Sequence, residues 1–84
     1  MDDKNIKDGI REYILNNYLF STDASALDDH VSLMATGVLD STGILEIIMY
    51  LEDTFAMNVA DEEMVPENLD SVTNIVAFVK RKCA

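Results

Sequence analysis

The chain has 84 residues, a formal net charge of −10 at pH 7 and a single cysteine, Cys83. A chain of this length forms one small domain with a thin core, which leaves little room for a deep substrate cavity and disfavours an enzyme. The lone cysteine excludes a disulfide scaffold, no apolar run approaches the ~20 residues of a membrane span, and the polar N-terminus is unlike a signal peptide. We therefore expect a cytoplasmic protein in which residues 1–84 form a single domain.

Charge is distributed unevenly along the chain. All six Lys and Arg residues lie near its two ends, and between Glu12 and Val79 only His30 can become a cation. The resulting negative potential repels nucleic acid and anionic membranes and attracts basic partners. We therefore expect neither nucleic acid nor a membrane as a ligand. The plainer alternative is a solvated acidic surface that aids solubility.

The first predicted helix covers about residues 5–19. Apolar side chains recur along it at helical spacing, with one tyrosine widening the stripe: Ile6, Ile10, Ile14, Tyr18 and Tyr13. Asp2 and Asp3 lie near its start, where the helix dipole favours acids.

Residues 20–39 show no sustained period and are rich in turn-forming residues. A connection this long is unusual in so small a domain. We expect a crossover along a helical bundle, held in place by six apolar anchors: Leu27, Val31, Leu33, Met34, Val38 and Leu39.

The second helix, about 41–55, has the clearest pattern. Its predicted buried stripe consists of Ile44, Ile47, Ile48, Leu51 and Phe55. A different strip carries Thr42, Leu45 and Met49, and the polar side carries Glu46, Glu52 and Asp53. This second face is either ordinary surface or a docking surface.

Two further helical segments complete the chain. Residues 60–65 can form one short turn with Asp61, Glu62 and Glu63 at its start, which Pro66 should stop. The last helix should begin near Asp70 or Ser71 and bury Val72, Ile75, Val76 and Val79, with Phe78 alongside. No strand signal competes, so the predicted fold is an all-α four-helix bundle. It has three longer helices, one short helix and a long first loop, with the second and last helices forming the core.

Ser41 stands where the crossover meets the second helix. A serine in this position is ordinarily an N-cap. Asp40 caps equally well, however, and would leave the Ser41 hydroxyl free at the first turn, where unsatisfied N–H groups and the helix dipole favour a phosphate ester. Gly43 is a poor helix former, and we interpret it as permitting close approach by a partner or a tethered group.

Catalysis by Ser41 is disfavoured because His30 is the only histidine and no lysine lies nearby in sequence. We expect His30 at the surface and Cys83 to be a bystander at a frayed terminus. Asp40-Ser41-Thr42-Gly43 lacks the spacing of an aspartic protease motif, and Leu45 stands where an EF-hand needs glycine. One cysteine and one histidine do not make a metal cluster.

The stretch from Gly37 to Ser41, followed by the helix to Phe55, resembles acyl carrier proteins and peptidyl carrier domains. The resemblance covers nearly the whole chain. Leu39-Asp40-Ser41-Thr42-Gly43 departs from the Gly-x-Asp-Ser-Leu of fatty-acid carriers and is closer to stand-alone D-alanyl carriers and carriers of amino acids or specialised acyl groups.

This resemblance implies a non-catalytic monomeric carrier with 4'-phosphopantetheine attached to Ser41 through the Asp40-Ser41 motif. Cargo would be held as a thioester. Its expected partners are a phosphopantetheinyl transferase, an acyl- or aminoacyl-loading ligase, and downstream acyl-transfer or condensing enzymes. The implied docking residues are Thr42, Leu45, Glu46, Met49, Glu52, Asp53, Asp61, Glu62 and Glu63. The alternative is a small acidic helical interaction module without a prosthetic group, anchored by Leu45 and Met49.

Overall fold

The computed structural model describes residues 3–20 and 27–83. These ranges contain four α-helices and no strand, which confirms the predicted all-α four-helix bundle: α1 Asp3–Ile14, α2 Ser41–Phe55, α3 Pro66–Leu69 and α4 Val72–Cys83. Asp2 and residues 21–26 of the crossover lie outside the described residues. Within the described part of the chain, no helix combines the length and the apolar character needed to cross a membrane.

The first helix buries its predicted stripe, since Ile6, Ile10 and Ile14 are at most 1% exposed. It continues beyond α1 as a π-helical turn, Leu15–Leu19, so the predicted end near residue 19 is confirmed. The turn closes at Phe20, which has a left-handed conformation (φ 50°) and donates its backbone N–H to the Leu15 carbonyl.

The described part of the crossover is anchored by Leu27, Leu33 and Leu39, each at most 4% exposed. Val31 and Val38 are half-buried. The prediction that Met34 is a buried anchor is wrong, because its side chain is 44% exposed. Met34 follows directly after Leu33 in a turn, and the Leu33 side chain is buried whereas the Met34 side chain is exposed.

Asp29 ties the crossover to both α1 and α4. Its carboxylate pairs with Arg11 and, at 2.6 Å, with Lys7, while its carbonyl accepts the Thr73 N–H at 3.0 Å. The Arg11 guanidinium also donates to the Leu27 carbonyl at 2.9 Å. Burial alone would raise the pKa of Asp29, but the hydrogen bonds and charges of Lys7 and Arg11 outweigh it and hold that pKa below its ordinary value.

The pKa of Asp29 is lower in the folded than in the unfolded state, so its ionised carboxylate stabilises the fold. This stabilisation is fully present above the unfolded-state pKa of about 3.9, and it is lost as the pH falls through the folded-state pKa. We expect Asp29→Asn to lower the free energy of unfolding at pH 7 by about 1–2 kcal/mol. Between pH 7 and pH 3 the free energy of unfolding should then fall less in the variant than in the unaltered chain. Urea unfolding at pH 7 and pH 3 measures both. Asp53→Asn, at an exposed position, is the control, and an equal effect of the two substitutions would contradict the prediction.

Helix α2 runs over the predicted range. Ile47, Ile48 and Leu51 are at most 4% exposed, whereas Ile44 and Phe55 are only half-buried at the edges of the stripe. The helix ends at Ala56, which has a left-handed conformation with φ of 53°.

The predicted short turn after α2 is present as a 3₁₀ turn, Asp61–Glu63, and it ends before Pro66 as predicted. The sequence pattern did not predict that Pro66 also begins a further short helix, α3. Val65 before it is extended (φ −123°, ψ 155°), as steric contact with proline requires, and a proline fits the first helical position because its missing N–H would be unpaired there anyway.

Helix α4 starts at Val72, with the Ser71 hydroxyl accepting the Asn74 N–H at 3.1 Å, which confirms the predicted start. Val72, Ile75 and Val79 are fully buried as predicted; Phe78 is more buried than expected at 1% exposure, and Val76 is half-buried. The predicted core of α2 against α4 was incomplete. Helix α4 packs more extensively against α1 and α3 than against α2.

Candidate functional site

Asp40 is the N-cap of α2. It has an extended backbone (φ −112°, ψ −171°), and its side-chain Oδ1 accepts the Gly43 N–H at 2.8 Å. Its carbonyl accepts the Ile44 N–H at 3.0 Å, the first hydrogen bond of the helix. Ser41 is therefore the first helical residue, with an exposed side chain that the cap does not use. The prediction that Asp40 can take over capping is confirmed.

Backbone hydrogen bonds and a buried leucine hold the loop before Asp40 in place. Leu33 donates its N–H to the Asp70 carbonyl at 2.6 Å, and its own carbonyl accepts the Leu39 N–H at 3.0 Å. Gly37 completes the turn between them with a left-handed φ of 79°, which favours glycine. Leu39 is buried, so the residue before the cap is fixed by packing as well as by hydrogen bonds.

Gly43 does not have the role that we expected. It is buried, and a Cβ atom at this position would lie 3.0 Å from Leu39 Cδ2 and 3.5 Å from Tyr18 Cε1. The missing side chain accommodates these internal neighbours, so the interpretation that it makes room for a partner or a tethered group is wrong. Gly43 lets the start of α2 pack closely against the buried Leu39 side chain of the preceding loop.

The Tyr18 hydroxyl beside Gly43 is buried and has no hydrogen-bond partner among the described residues. Burial raises the pKa of Tyr18, and the neighbouring Tyr13 and Glu46 side chains raise it further, so the hydroxyl stays neutral. Because an unpaired buried hydroxyl costs stability, we expect Tyr18→Phe to raise the free energy of unfolding by about 0.5–1 kcal/mol. Urea unfolding measures this, with Tyr50→Phe as the control, and a destabilised Tyr18→Phe chain would disprove it.

An apolar hollow of about 360 Å³ opens beside Ser41, between α2 and the segment that contains α3. We call it the serine cleft. Its lining residues come from three parts of the chain: Met34, then Ser41, Ile44, Leu45 and Ile48, and then Met64, Val65, Pro66, Leu69 and Asp70. Sequence reasoning missed the first and last of these groups as site residues, because no local pattern marks walls that only folding brings together.

Two of the predicted acidic docking residues are engaged inside the molecule. The Glu52 carboxylate accepts the Val59 N–H at 3.1 Å. The Glu63 carboxylate accepts the Ala60 N–H at 2.9 Å and pairs with Lys82 at 2.8 Å. The hydrogen bond from Lys82, followed by the one from Ala60, lowers the pKa of Glu63. Both side chains therefore hold loops as well as presenting charge.

The remaining predicted docking residues have exposed side chains, and α2 separates them into groups. Leu45 lines the serine cleft with Ser41. Three others border a different hollow on the opposite side of the helix: Glu46, Met49 and Asp53. Thr42 is exposed at the first turn of α2, and Asp61 and Glu62 are exposed on the 3₁₀ turn.

The cleft lacks the groups of a nucleophilic enzyme. His30 is exposed, as predicted, with Nδ1 3.1 Å from the Thr73 hydroxyl, and it lies outside the serine cleft. Asp70, which does line the cleft, already accepts the Ser32 hydroxyl and the Met34 N–H. Within the two described ranges, no three His, Cys, Asp or Glu side chains are placed to hold a metal ion. Cys83, the last described residue, is exposed at the end of α4.

The chain is similar to curated proteins over most of its length. A D-alanyl carrier protein from Streptococcus uberis is 37% identical over 73 residues, which cover 84% of this chain and 91% of that protein. One from Streptococcus pyogenes serotype M1 is 40% identical over 62 residues, covering 74% and 77% respectively. One from Abiotrophia defectiva is 32% identical over 57 residues, covering 68% and 72%.

The chain belongs to the D-alanyl carrier protein family. No protein-family model matches it. The resemblance to stand-alone D-alanyl carriers, drawn from residues 39–43, is thereby confirmed. The chain is a carrier protein, and in this carrier the exposed serine, the aspartate cap and the apolar cleft lie together at one end of α2.

Proposed function

We propose that the protein carries D-alanine as a thioester on a 4'-phosphopantetheine group attached to Ser41. The observation that carries this proposal is the Asp40 cap, whose side chain accepts the Gly43 N–H and leaves the Ser41 hydroxyl exposed. The choice of D-alanine as cargo rests on the similarity to D-alanyl carrier proteins.

The residues around Ser41 suit the proposed group. A phosphodiester on Ser41 Oγ would meet the positive end of the α2 dipole and the unsatisfied N–H groups of its first turn. The serine cleft, about 360 Å³ and largely apolar, begins at Ser41 and offers a surface for the apolar part of the arm. When bound, phosphopantetheine supplies the terminal thiol on which cargo is held.

The domain itself tethers and presents its cargo, and partner enzymes carry out the chemistry. These would be a phosphopantetheinyl transferase that uses coenzyme A, an aminoacyl-loading ligase and a downstream acyl-transfer enzyme. Leu45, which lines the cleft, and the exposed Thr42, Asp61 and Glu62 would meet partners through apolar and acidic contacts. Such contacts favour rapid encounter with basic surfaces and rapid release, as a carrier that visits several enzymes requires.

The test uses the single cysteine of the chain. In denaturant, a thiol reagent should detect one thiol in the unmodified protein, from Cys83, and one more after incubation with coenzyme A and a phosphopantetheinyl transferase. Intact mass should rise by one phosphopantetheine group. Subsequent loading with D-alanine by its ligase should mask the added thiol again, and hydroxylamine should restore it.

An unchanged mass and an unchanged thiol count would overturn the proposal. They would favour the small acidic interaction module without a prosthetic group. Loading by another amino acid or acyl group, with D-alanine refused, would overturn the cargo assignment and leave the attachment to Ser41 in place.

A further inference from the structure

The serine cleft has one charged side chain among its described lining residues. Eight of those ten residues are apolar, and the other two are Ser41 and Asp70. Asp70 is the C-cap residue of α3 and therefore belongs to the wall across the cleft from α2. Ligand sites commonly consist of apolar walls with a few polar groups that fix the orientation of the ligand. Asp70 is the residue of the cleft that could do so for a cation.

The Asp70 carboxylate is half-buried and fixed in direction. One oxygen accepts the Ser32 hydroxyl, and the other accepts the Met34 N–H at 2.9 Å. These two hydrogen bonds use about half of the roughly four acceptor positions of a carboxylate. The group can therefore accept further hydrogen bonds from a ligand without giving up those that hold it.

The turn that Asp70 holds uses its hydrogen bonds more than its charge. An asparagine amide could accept the Met34 N–H through its oxygen and donate to the Ser32 hydroxyl oxygen, with somewhat weaker hydrogen bonds. A charge beside apolar walls, in contrast, costs solvation. The charge thus adds a property that the turn alone does not need, which is attraction for a cation inside an otherwise apolar cleft.

The charged groups near Asp70 leave it open to such a cation. On its other side Asp70 lines a polar hollow of about 340 Å³, together with the exposed residues His30 and Glu67. Among the described residues no ion pair reaches Asp70, since the pairs join Lys7 and Arg11 to Asp29 and Lys82 to Glu63. A cation that enters the cleft therefore has no lysine or arginine to displace from Asp70.

An aminoacyl thioester has the chemistry that fits this cleft. At neutral pH most of its α-amino groups are ammonium ions, each a compact cation with N–H donors. In an apolar cleft an ammonium would lose its solvation unless an acid paired with it. The methyl group of an alanyl cargo suits the apolar walls. An uncharged acyl group would gain nothing from Asp70, and an acyl group with a free carboxylate would be repelled.

We propose that Asp70 binds the α-ammonium of the aminoacyl cargo when the arm on Ser41 folds back along the serine cleft. This inference rests on the proposed function, because the cargo reaches the cleft only on an arm attached to Ser41. The arm has many rotatable bonds, so its end can turn back towards the wall that contains Asp70. Asp70 thereby favours aminoacyl cargo over uncharged acyl cargo inside the cleft.

The test follows the cargo by NMR. A phosphopantetheinyl transferase attaches an arm that carries isotope-labelled D-alanine through an amide, which does not hydrolyse as a thioester does, and the ammonium is titrated between pH 5 and pH 9. Its pKa should be higher by about 0.5 or more in the unaltered chain than in Asp70→Asn, because a nearby carboxylate favours the charged form. Glu67→Gln makes the same change of charge outside the cleft and should leave this pKa unchanged. Equal pKa values in the unaltered chain and Asp70→Asn, or an equal lowering by Glu67→Gln, would overturn the proposal.

A second measurement needs no substitution at Asp70. In the unaltered chain with ¹³C-labelled aspartate, the carboxyl signal of Asp70 should shift when the arm carries D-alanine. An arm that carries N-acetyl-D-alanine has the same amino acid without the charge and should leave that signal in place. Equal shifts with the two arms would show that the ammonium is not what Asp70 binds.

Intact mass separates this proposal from the proposed function. A chain that gains the arm but shows neither the pKa difference nor the carboxyl shift would overturn the role of Asp70 and leave the attachment to Ser41 in place. A chain that gains no arm would overturn the attachment and, with it, the role of Asp70.

Discussion

The Ser41→Ala variant is expected to gain no mass in the presence of coenzyme A and a phosphopantetheinyl transferase, whereas the unaltered chain gains one phosphopantetheine group. The variant lacks the exposed hydroxyl at the first position of α2, beside the cleft. Its fold should be unaffected, with a change in the free energy of unfolding below about 0.5 kcal/mol, because Asp40 and not Ser41 caps the helix. Intact-mass measurement and urea unfolding check both expectations.

Two hydroxyl controls make the result specific to position 41. Thr42→Ala removes the neighbouring exposed hydroxyl and should still be modified. Ser71→Ala removes the hydroxyl that accepts the Asn74 N–H at the start of α4, so it should cost about 1 kcal/mol of stability and leave modification unchanged. A mass gain in Ser41→Ala would refute the assignment of the attachment site.

Replacing Asp70 with alanine is expected to lower the free energy of unfolding by about 2–3 kcal/mol. The Asp70 carboxylate accepts the Ser32 hydroxyl and, at 2.9 Å, the Met34 N–H, across more than thirty residues of sequence. These hydrogen bonds hold the turn that leads through Leu39 to the Asp40 cap. Hydrogen bonds to a charged acceptor contribute more than neutral ones, so their joint loss should be large.

Urea unfolding followed by circular dichroism measures this change, read from the midpoint with the slope unchanged. Asp70→Asn keeps one acceptor oxygen and should lose less than Asp70→Ala. Asp61→Ala, at an exposed position, should change stability by less than about 0.5 kcal/mol. An Asp70→Ala chain as stable as the Asp61→Ala control would show that the backbone hydrogen bonds and the packing of Leu33 and Leu39 hold the turn without the Asp70 carboxylate.

Local rules predicted most of the helices. The stripe of α2 and its Asp40 cap lie within one stretch of chain, so spacing and capping preference were sufficient to place them. The start of α3 was missed because proline both ends helices and begins them, and only the first of these roles was assigned to Pro66. Met34 was misplaced because a loop has no period from which its exposed side can be read.

The roles of Gly43, Glu52 and Glu63 depended on contacts that no periodic pattern in the sequence marks. Gly43 faces Leu39 and Tyr18, and the second of these belongs to the first helical segment. Glu52 and Glu63 looked like surface charge, yet they hold the Val59 and Ala60 N–H groups. A sequence shows that such a side chain carries charge but does not show which backbone group lies within its reach.

By itself the sequence determined the helical class, the Asp40-Ser41 junction and the resemblance to carriers, because each depends on spacing and residue type within one segment. Only the tertiary structure decided that Ser41 borders an apolar cleft and that the predicted docking residues of α2 line two different hollows. The physical reason is that the walls of both hollows come from segments far apart in the chain. Their packing is fixed by burial and by long-range hydrogen bonds such as those of Asp29 and Asp70, which leave no periodic signal in the sequence.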